Sequence, residues 1–131
     1  EALARRGAGG LTAMDILGPE TRLLERLMSA SALRHEVLAN NVSNQNTPGY
    51  KRRVVQFEDL LRDAVAGGRD LSGIEPAIVA DELTPARPDG NNVNLELEES
   101  SQDENMLLYE AYAAILHNRF ELLRASIQGD R

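Results

Sequence analysis

The sequence predicts a mainly α fold. Two long helices, one near each end, pack as a coiled-coil-like pair around a small irregular middle with short β-strands and a short helix. Two observations predict this. Apolar residues recur at helical spacing between positions 23 and 42, and again between 106 and 127. Between them, Gly67, Gly68, Gly73, Pro76, Pro85, Pro88 and Gly90 break up residues 67–93, where neither period persists. The organisation that follows is an N-terminal extension over 1–14, a helix over 15–46, a turn with short strands and a mobile loop over 47–93, and a helix over 94–131.

The extension, Glu1 to Ala13, carries two Arg and three Gly. Met14-Asp15-Ile16-Leu17 reads either as a native start or as the continuation of a longer natural segment. Gly18-Pro19-Glu20 is a helix entry, because Pro suits the first turn and an acid suits the positive end of the helix dipole. Leu23, Leu24, Leu27, Met28, Ala30, Leu33, Val37, Leu38 and Val42 then fall mostly on one half of a helix, with Arg34 interrupting the stripe. This is a helix of roughly 25 residues, longer than the globular average.

Its end is the most distinctive stretch of the chain. Asn40, Asn41, Asn44 and Asn46 crowd the exit, followed by Thr47-Pro48-Gly49-Tyr50. Asn side chains bond nearby backbone and suit helix ends, Pro48 fixes its own φ, and Gly49 supplies the positive φ of a type II turn. The segment reads as a shaped connector rather than a catalyst. Val54-Val55-Gln56-Phe57 is a β-prone run. Glu58 to Ala66 is a brief amphipathic helix stopped by Gly67-Gly68, and Ala77-Ile78-Val79 is a further short strand.

The last helix starts from Asn94 as N-cap, with acids at 96, 98, 99, 103 and 104 and a capping box at Ser101 and Glu104. Met106, Tyr109, Ala113, Leu116, Phe120, Leu123 and Ile127 follow one another at alternating spacings of three and four. That is a heptad seam, the pattern of a helix lying lengthwise on another. Leu108, Ala111, Ile115 and Leu122 form a second apolar line roughly 110° away. One partner helix cannot cover both lines, and the chain supplies one other long helix. The excess implies burial against other subunits. Gly129 marks the helix end.

Composition limits the alternatives. A net charge of −7 argues against nucleic acid as partner. Lys51-Arg52-Arg53 is the basic cluster, read as a solvated or interfacial strand end. Cysteine is absent, which excludes disulfides and thiolate chemistry. With aromatic content of 4% and no Trp, any core is aliphatic. No apolar run reaches the length of a membrane span, and the N-terminus lacks a signal-peptide core. His35 and His117 lack the spacing of a metal pair, the glycine pairs lack the Lys-Ser/Thr of a phosphate loop, and the acids form one local run. No catalytic, cofactor-binding or metal-ligating residues are expected, no cofactor, no small-molecule substrate and no enzymatic activity.

The motif Asn40, Asn41, Asn44, Thr47, Pro48, Gly49, Tyr50 resembles the N-terminal signature of bacterial flagellar axial proteins. Over residues 15–131 the chain is similar to the basal-body rod proteins, and in particular to the small proximal rod subunits. Val55-Gln56-Phe57-Glu58 after the turn, Asn92-Val93-Asn94-Leu95, and Glu104-Asn105 with Tyr109, Phe120, Leu123 and Ile127-Gln128-Gly129 carry that likeness. Ser43-Asn44-Gln45-Asn46 departs from the Ala and acid more usual there. The resemblance implies a structural subunit of a helical, periplasmic drive-shaft in the flagellar basal body. It implies export through the flagellar type III apparatus without signal cleavage. Its implied partners are other rod subunits, the basal rod adaptor and further copies of itself. The alternatives are another small axial rod subunit or a stand-alone coiled-coil or helical-bundle adaptor.

Overall fold

The computed structural model describes residues 18–129. The predicted extension over 1–14, and residues 15–17 of the predicted first helix, lie outside the described residues. The elements in order are α1 (Pro19–Ser43), β1 (Arg53–Gln56), α2 (Glu58–Ala66), β2 (Ala77–Ala80) and α3 (Leu95–Gln128). The mainly α architecture matches the sequence reading, with two long terminal helices packed together and two short strands in the middle.

Helix α1 has 25 residues with Pro19 in its first turn, so the missing Pro N–H falls where helix donors are unpaired anyway. Helix α3 has 34 residues, and the Asn94 side chain accepts from the Leu97 N–H at 3.3 Å. The capping box expected at Ser101 and Glu104 lies well inside α3 instead. Asn94 already starts the helix seven residues earlier, so no free N–H groups remain there to be capped. The two helices run antiparallel: Asn41 meets Glu98, Ser31 meets Asn105, and Glu20 meets Arg119. In that register α1, as described, ends near Arg119, and Phe120 to Gln128 extend past it.

Strands β1 and β2 form a two-stranded antiparallel sheet, with Arg53 opposite Ala80 and Gln56 opposite Ala77. The small apolar core lies between α1 and α2, where Ala30, Phe57 and Leu61 are buried under Leu23, Leu27, Leu71 and Ile74. Phe57 is 1% exposed, and full burial of such a ring contributes about 1.5–3 kcal/mol. Arg26 lies over this ring at 5.5 Å and holds the Leu71 and Ile74 carbonyls, fastening residues 71–74 to α1.

Candidate assembly interface

The connector after α1 is built from side-chain amides that stand in for backbone. Asn41 is fully buried. Its Nδ2 donates to the Arg53 carbonyl at 2.8 Å and its Oδ1 accepts from the Arg53 N–H at 2.9 Å. One amide therefore satisfies both main-chain groups that Arg53 turns away from β2, as a neighbouring strand would. The Tyr50 hydroxyl also donates to Asn41 Oδ1, at 3.1 Å. Asn92 does the same on the other side of β1. Its Oδ1 accepts from the Arg52 N–H at 2.6 Å and its Nδ2 donates to the Asp81 carbonyl at 2.7 Å. Asn91 Nδ2 donates to the carbonyls of Asn44 and Thr47, both at 2.8 Å, tying down the helix exit.

The turn has the form expected. Tyr50 N–H donates to the Thr47 carbonyl at 3.2 Å, and Gly49 has φ +74°. Gly49 N–H donates to the Asp89 carbonyl at 2.8 Å, and a Cβ on Gly90 would lie 3.2 Å from Gly49 Cα. Asn44 Nδ2 donates to the Asn40 carbonyl at 2.8 Å, and Thr47 Oγ1 donates to Asn44 Oδ1 at 3.2 Å. The exit carbonyl of α1 is thus paired by the helix's own asparagine.

A charged pair lies at the centre. Arg52 is 4% exposed and Glu98 is 0% exposed. Arg52 Nε donates to Glu98 Oε1 at 2.6 Å and Nη2 to Oε2 at 3.3 Å, a two-pronged contact, while Nη1 reaches Asp81 Oδ2 at 2.6 Å. Burial works against the Arg52 charge, but the bonds to Glu98 and Asp81 outweigh it and raise its pKa. The Thr84 hydroxyl, against the effect of burial and with help from Arg52, holds the Asp81 carboxyl below its usual range. Two readings of the sequence are corrected here. Arg52 is not a solvated or interfacial strand end, because it is buried and doubly paired. Glu98 is not simply a helix-start charge, because it is the counter-ion that makes that burial tolerable.

Arg34, the break in the α1 stripe, is explained in the same way. It donates to Glu58 Oε2 at 2.5 Å, to Asn105 Oδ1 at 3.2 Å and to the Val55 carbonyl at 3.2 Å. Burial raises and Arg34 lowers the Glu58 pKa, and the lowering wins. Tyr112 donates to Glu58 Oε1 at 3.1 Å, and burial, then the Glu58 charge, pushes its pKa up to about 12. Asn105 also donates to the Ser31 carbonyl at 2.8 Å, and His35 Nδ1 lies 2.8 Å from Gln102 Oε1.

The side of α3 that meets α1 is therefore marked by Glu98, Gln102, Asn105 and Arg119, with Tyr112 reaching Glu58 of α2. The apolar seam lies beside it, with Met106 about 100° round the helix from Asn105. Met106, Tyr109, Phe120, Leu123 and Ile127 are exposed, and Ala113 and Leu116 are partly buried. On the second line Leu108 is partly buried, and Ala111, Ile115 and Leu122 are exposed. Within the chain these apolar positions are left largely uncovered by the described residues. Among those residues no group of three or more His, Cys, Asp or Glu could hold a metal ion, and no helix is long and apolar enough to cross a membrane.

The chain is also similar to known proteins. A flagellar basal body rod protein FlgB of Cereibacter sphaeroides is 32% identical over 111 residues, covering 74% of this chain and 84% of the relative. The chain belongs to the FlgB family of flagellar basal body rod proteins. The family's member from Borrelia hermsii is 27% identical over 135 residues, covering 88% of this chain and all of the relative. That from Bacillus subtilis is 26% identical over 129 residues, covering 90% of this chain and all of the relative. The family model for the flagella basal body rod protein matches residues 26–51, the segment that runs down α1 into the turn. The chain is accordingly a structural subunit of the flagellar basal-body rod.

The sequence reading missed the roles of Arg52, Glu98, Asn92 and Asn105. No local signal distinguishes Glu98 from its neighbours Glu96 and Glu99; what sets it apart is its place where α3 first meets α1.

Proposed function

We propose that the subunit sits at the proximal end of the rod and polymerises through α1 and α3, presenting the Met106–Ile127 seam and the Leu108–Leu122 line to neighbouring subunits. The observation that carries this reading is the mismatch between the helices: α3 is 34 residues long and α1 is 25, and the described residues leave the apolar face of α3 exposed. Exposed apolar surface of that continuity is costly in water and is removed when neighbours cover it. Contacts that repeat head to tail without closing build a helical array rather than a closed oligomer. The motif residues Asn40, Asn41, Asn44, Thr47, Pro48, Gly49 and Tyr50 set the direction in which the middle of the chain leaves α1.

On this reading the partners are other rod subunits, the basal rod adaptor and further copies of the chain. The rod crosses the periplasm, and the flagellar type III apparatus exports the subunit without cleaving a signal. The protein acts by assembly, not catalysis. Phe120→Asp and Leu116→Asp place a charge in the apolar contact, where it is strongly unfavourable unpaired. Cells carrying either variant in place of the native subunit are expected to export it yet lose rod assembly and swimming. Wild-type swimming in both would overturn the reading.

A further inference from the structure

Sulfur in this chain is carried by methionine alone: cysteine is absent and there are three Met. Met14 lies outside the described residues, Met28 is partly buried, and Met106, the first residue of the seam, is 60% exposed. Met106 also walls a groove of about 590 Å³ between α1 and α3, together with Ser31, His35, Gln102, Asn105 and Tyr109. The amides there are engaged. Asn105 Nδ2 holds the Ser31 carbonyl, and Gln102 is bonded to both the His35 carbonyl, at 3.2 Å, and the ring Nδ1. Ser31 is different. It is 1% exposed, and its Oγ is the one buried side-chain polar atom among the described residues without a hydrogen-bond partner. Such a donor is destabilising until an acceptor reaches it.

We infer that Met106 is an oxidation site of the unassembled subunit, with a peroxide as oxidant, and that the sulfoxide withholds the start of the seam from neighbours. The thioether lone pair attacks one peroxide oxygen, and the S–O bond forms as the O–O bond breaks. The departing hydroxide takes up the proton that the transferred oxygen loses. Sulfur is oxidised by two electrons and the peroxide is reduced to water. The thioether is apolar and pliable, whereas the product is polar and its oxygen accepts hydrogen bonds. Under a neighbour's apolar face that oxygen is buried unpaired, which is unfavourable. In the groove it meets the donor that lacks a partner, the Ser31 hydroxyl. That bond draws Met106 towards α1 and off the seam. Neighbours that cover the seam also shield the sulfur, so the modification acts before assembly. The effect on assembly rests on the seam reading proposed above; the oxidation itself does not.

Treating the full chain with dilute hydrogen peroxide and mapping the added oxygen by peptide mass spectrometry tests the site. Oxygen should enter at Met106 about fivefold faster than at Met28, or more. Thermal unfolding of the oxidised chain tests the geometry. Oxidation should lower the midpoint further in Ser31→Ala, which lacks the donor, than in the native chain. Met106→Gln, with a polar acceptor at similar reach, tests the consequence. Cells carrying it in place of the native subunit should spread less far in soft agar. Equal oxidation of Met106 and Met28 overturns the inference. So does an equal loss of stability in Ser31→Ala and the native chain. Native swimming with Met106→Gln while Phe120→Asp abolishes it overturns this inference alone. Native swimming with both overturns the seam reading beneath it.

Discussion

The two ends of α3 reverse the usual division between inside and outside. At its start, Glu98 and Asn105 are buried and hydrogen-bonded to α1 and to the segment after the turn. At its far end Leu122, Leu123 and Ile127 are exposed. A polar group inside must find a partner of fixed geometry, so the first end specifies how this chain meets itself. Apolar groups are less particular about orientation, so the second end can be covered by whatever neighbour brings a matching face. Substitutions at the two ends should therefore part cleanly: those at the first cost stability, those at the second cost assembly.

The largest effect is expected at Arg52. Arg52→Ala leaves Glu98 buried without its counter-ion, a change worth about 3–5 kcal/mol. Denaturant unfolding should show the midpoint collapse, and Glu98→Gln with Arg52→Met should recover part of it. Asn41→Leu comes next. It orphans both outward groups of Arg53, at about 1–3 kcal/mol for each buried group left unpaired, and would be measured in the same way.

Gly49→Val should cost on the order of 1 kcal/mol or more, because a β-branched residue is forced to positive φ. Gly67, without a positive φ, has only ordinary contacts in reach of a Cβ, the nearest the Asp63 carbonyl oxygen at 3.4 Å. Gly67→Val should therefore fall well short of Gly49→Val in thermal unfolding. Equal losses would reduce the turn to a tolerant surface loop.

The first end also titrates. Asp81 and Glu58 hold pKa values below their ordinary 3.8 and 4.5, so the stability they add is complete above about pH 4.5 and is lost as pH falls. Tyr112 is raised from 10.0 to about 12, so its contribution is complete below pH 10 and is lost as pH rises through 12. Stability measured against pH should show a plateau between these limbs, and Tyr112→Phe should weaken the alkaline one. The smallest effect on the subunit is expected at the far end: Leu122→Lys should change stability by less than about 0.5 kcal/mol.

That contrast also explains how much could be read in advance. Both long helices, the short α2 and the two strands follow from apolar period and glycine punctuation, which are local signals. The Pro48-Gly49 turn was legible because φ is a property of one residue. Arg52 and Glu98 are 46 positions apart, and nothing local marks either as buried. Their pairing depends on the antiparallel register of α1 and α3 together with the return of β1 beside them. The seam was visible as a pattern, but its position beside the α1 contact was not. That position depends on Asn105 and Gln102 taking the inward face, and polar residues carry no apolar period.

The bonds around Asn41 have a consequence for the order of events along the chain. They join position 41 to 53 and 98, position 52 to 81, 92 and 98, and position 91 to 44 and 47. A chain emerging from its N-terminus cannot close this knot until residue 98 is free. Loop-closure entropy is spent before most of the reward arrives, which slows the final step. The core around Phe57 and the bonds from Asn41 to Arg53 and from Asn91 to the helix exit can close earlier, and the Glu98 contacts lock last.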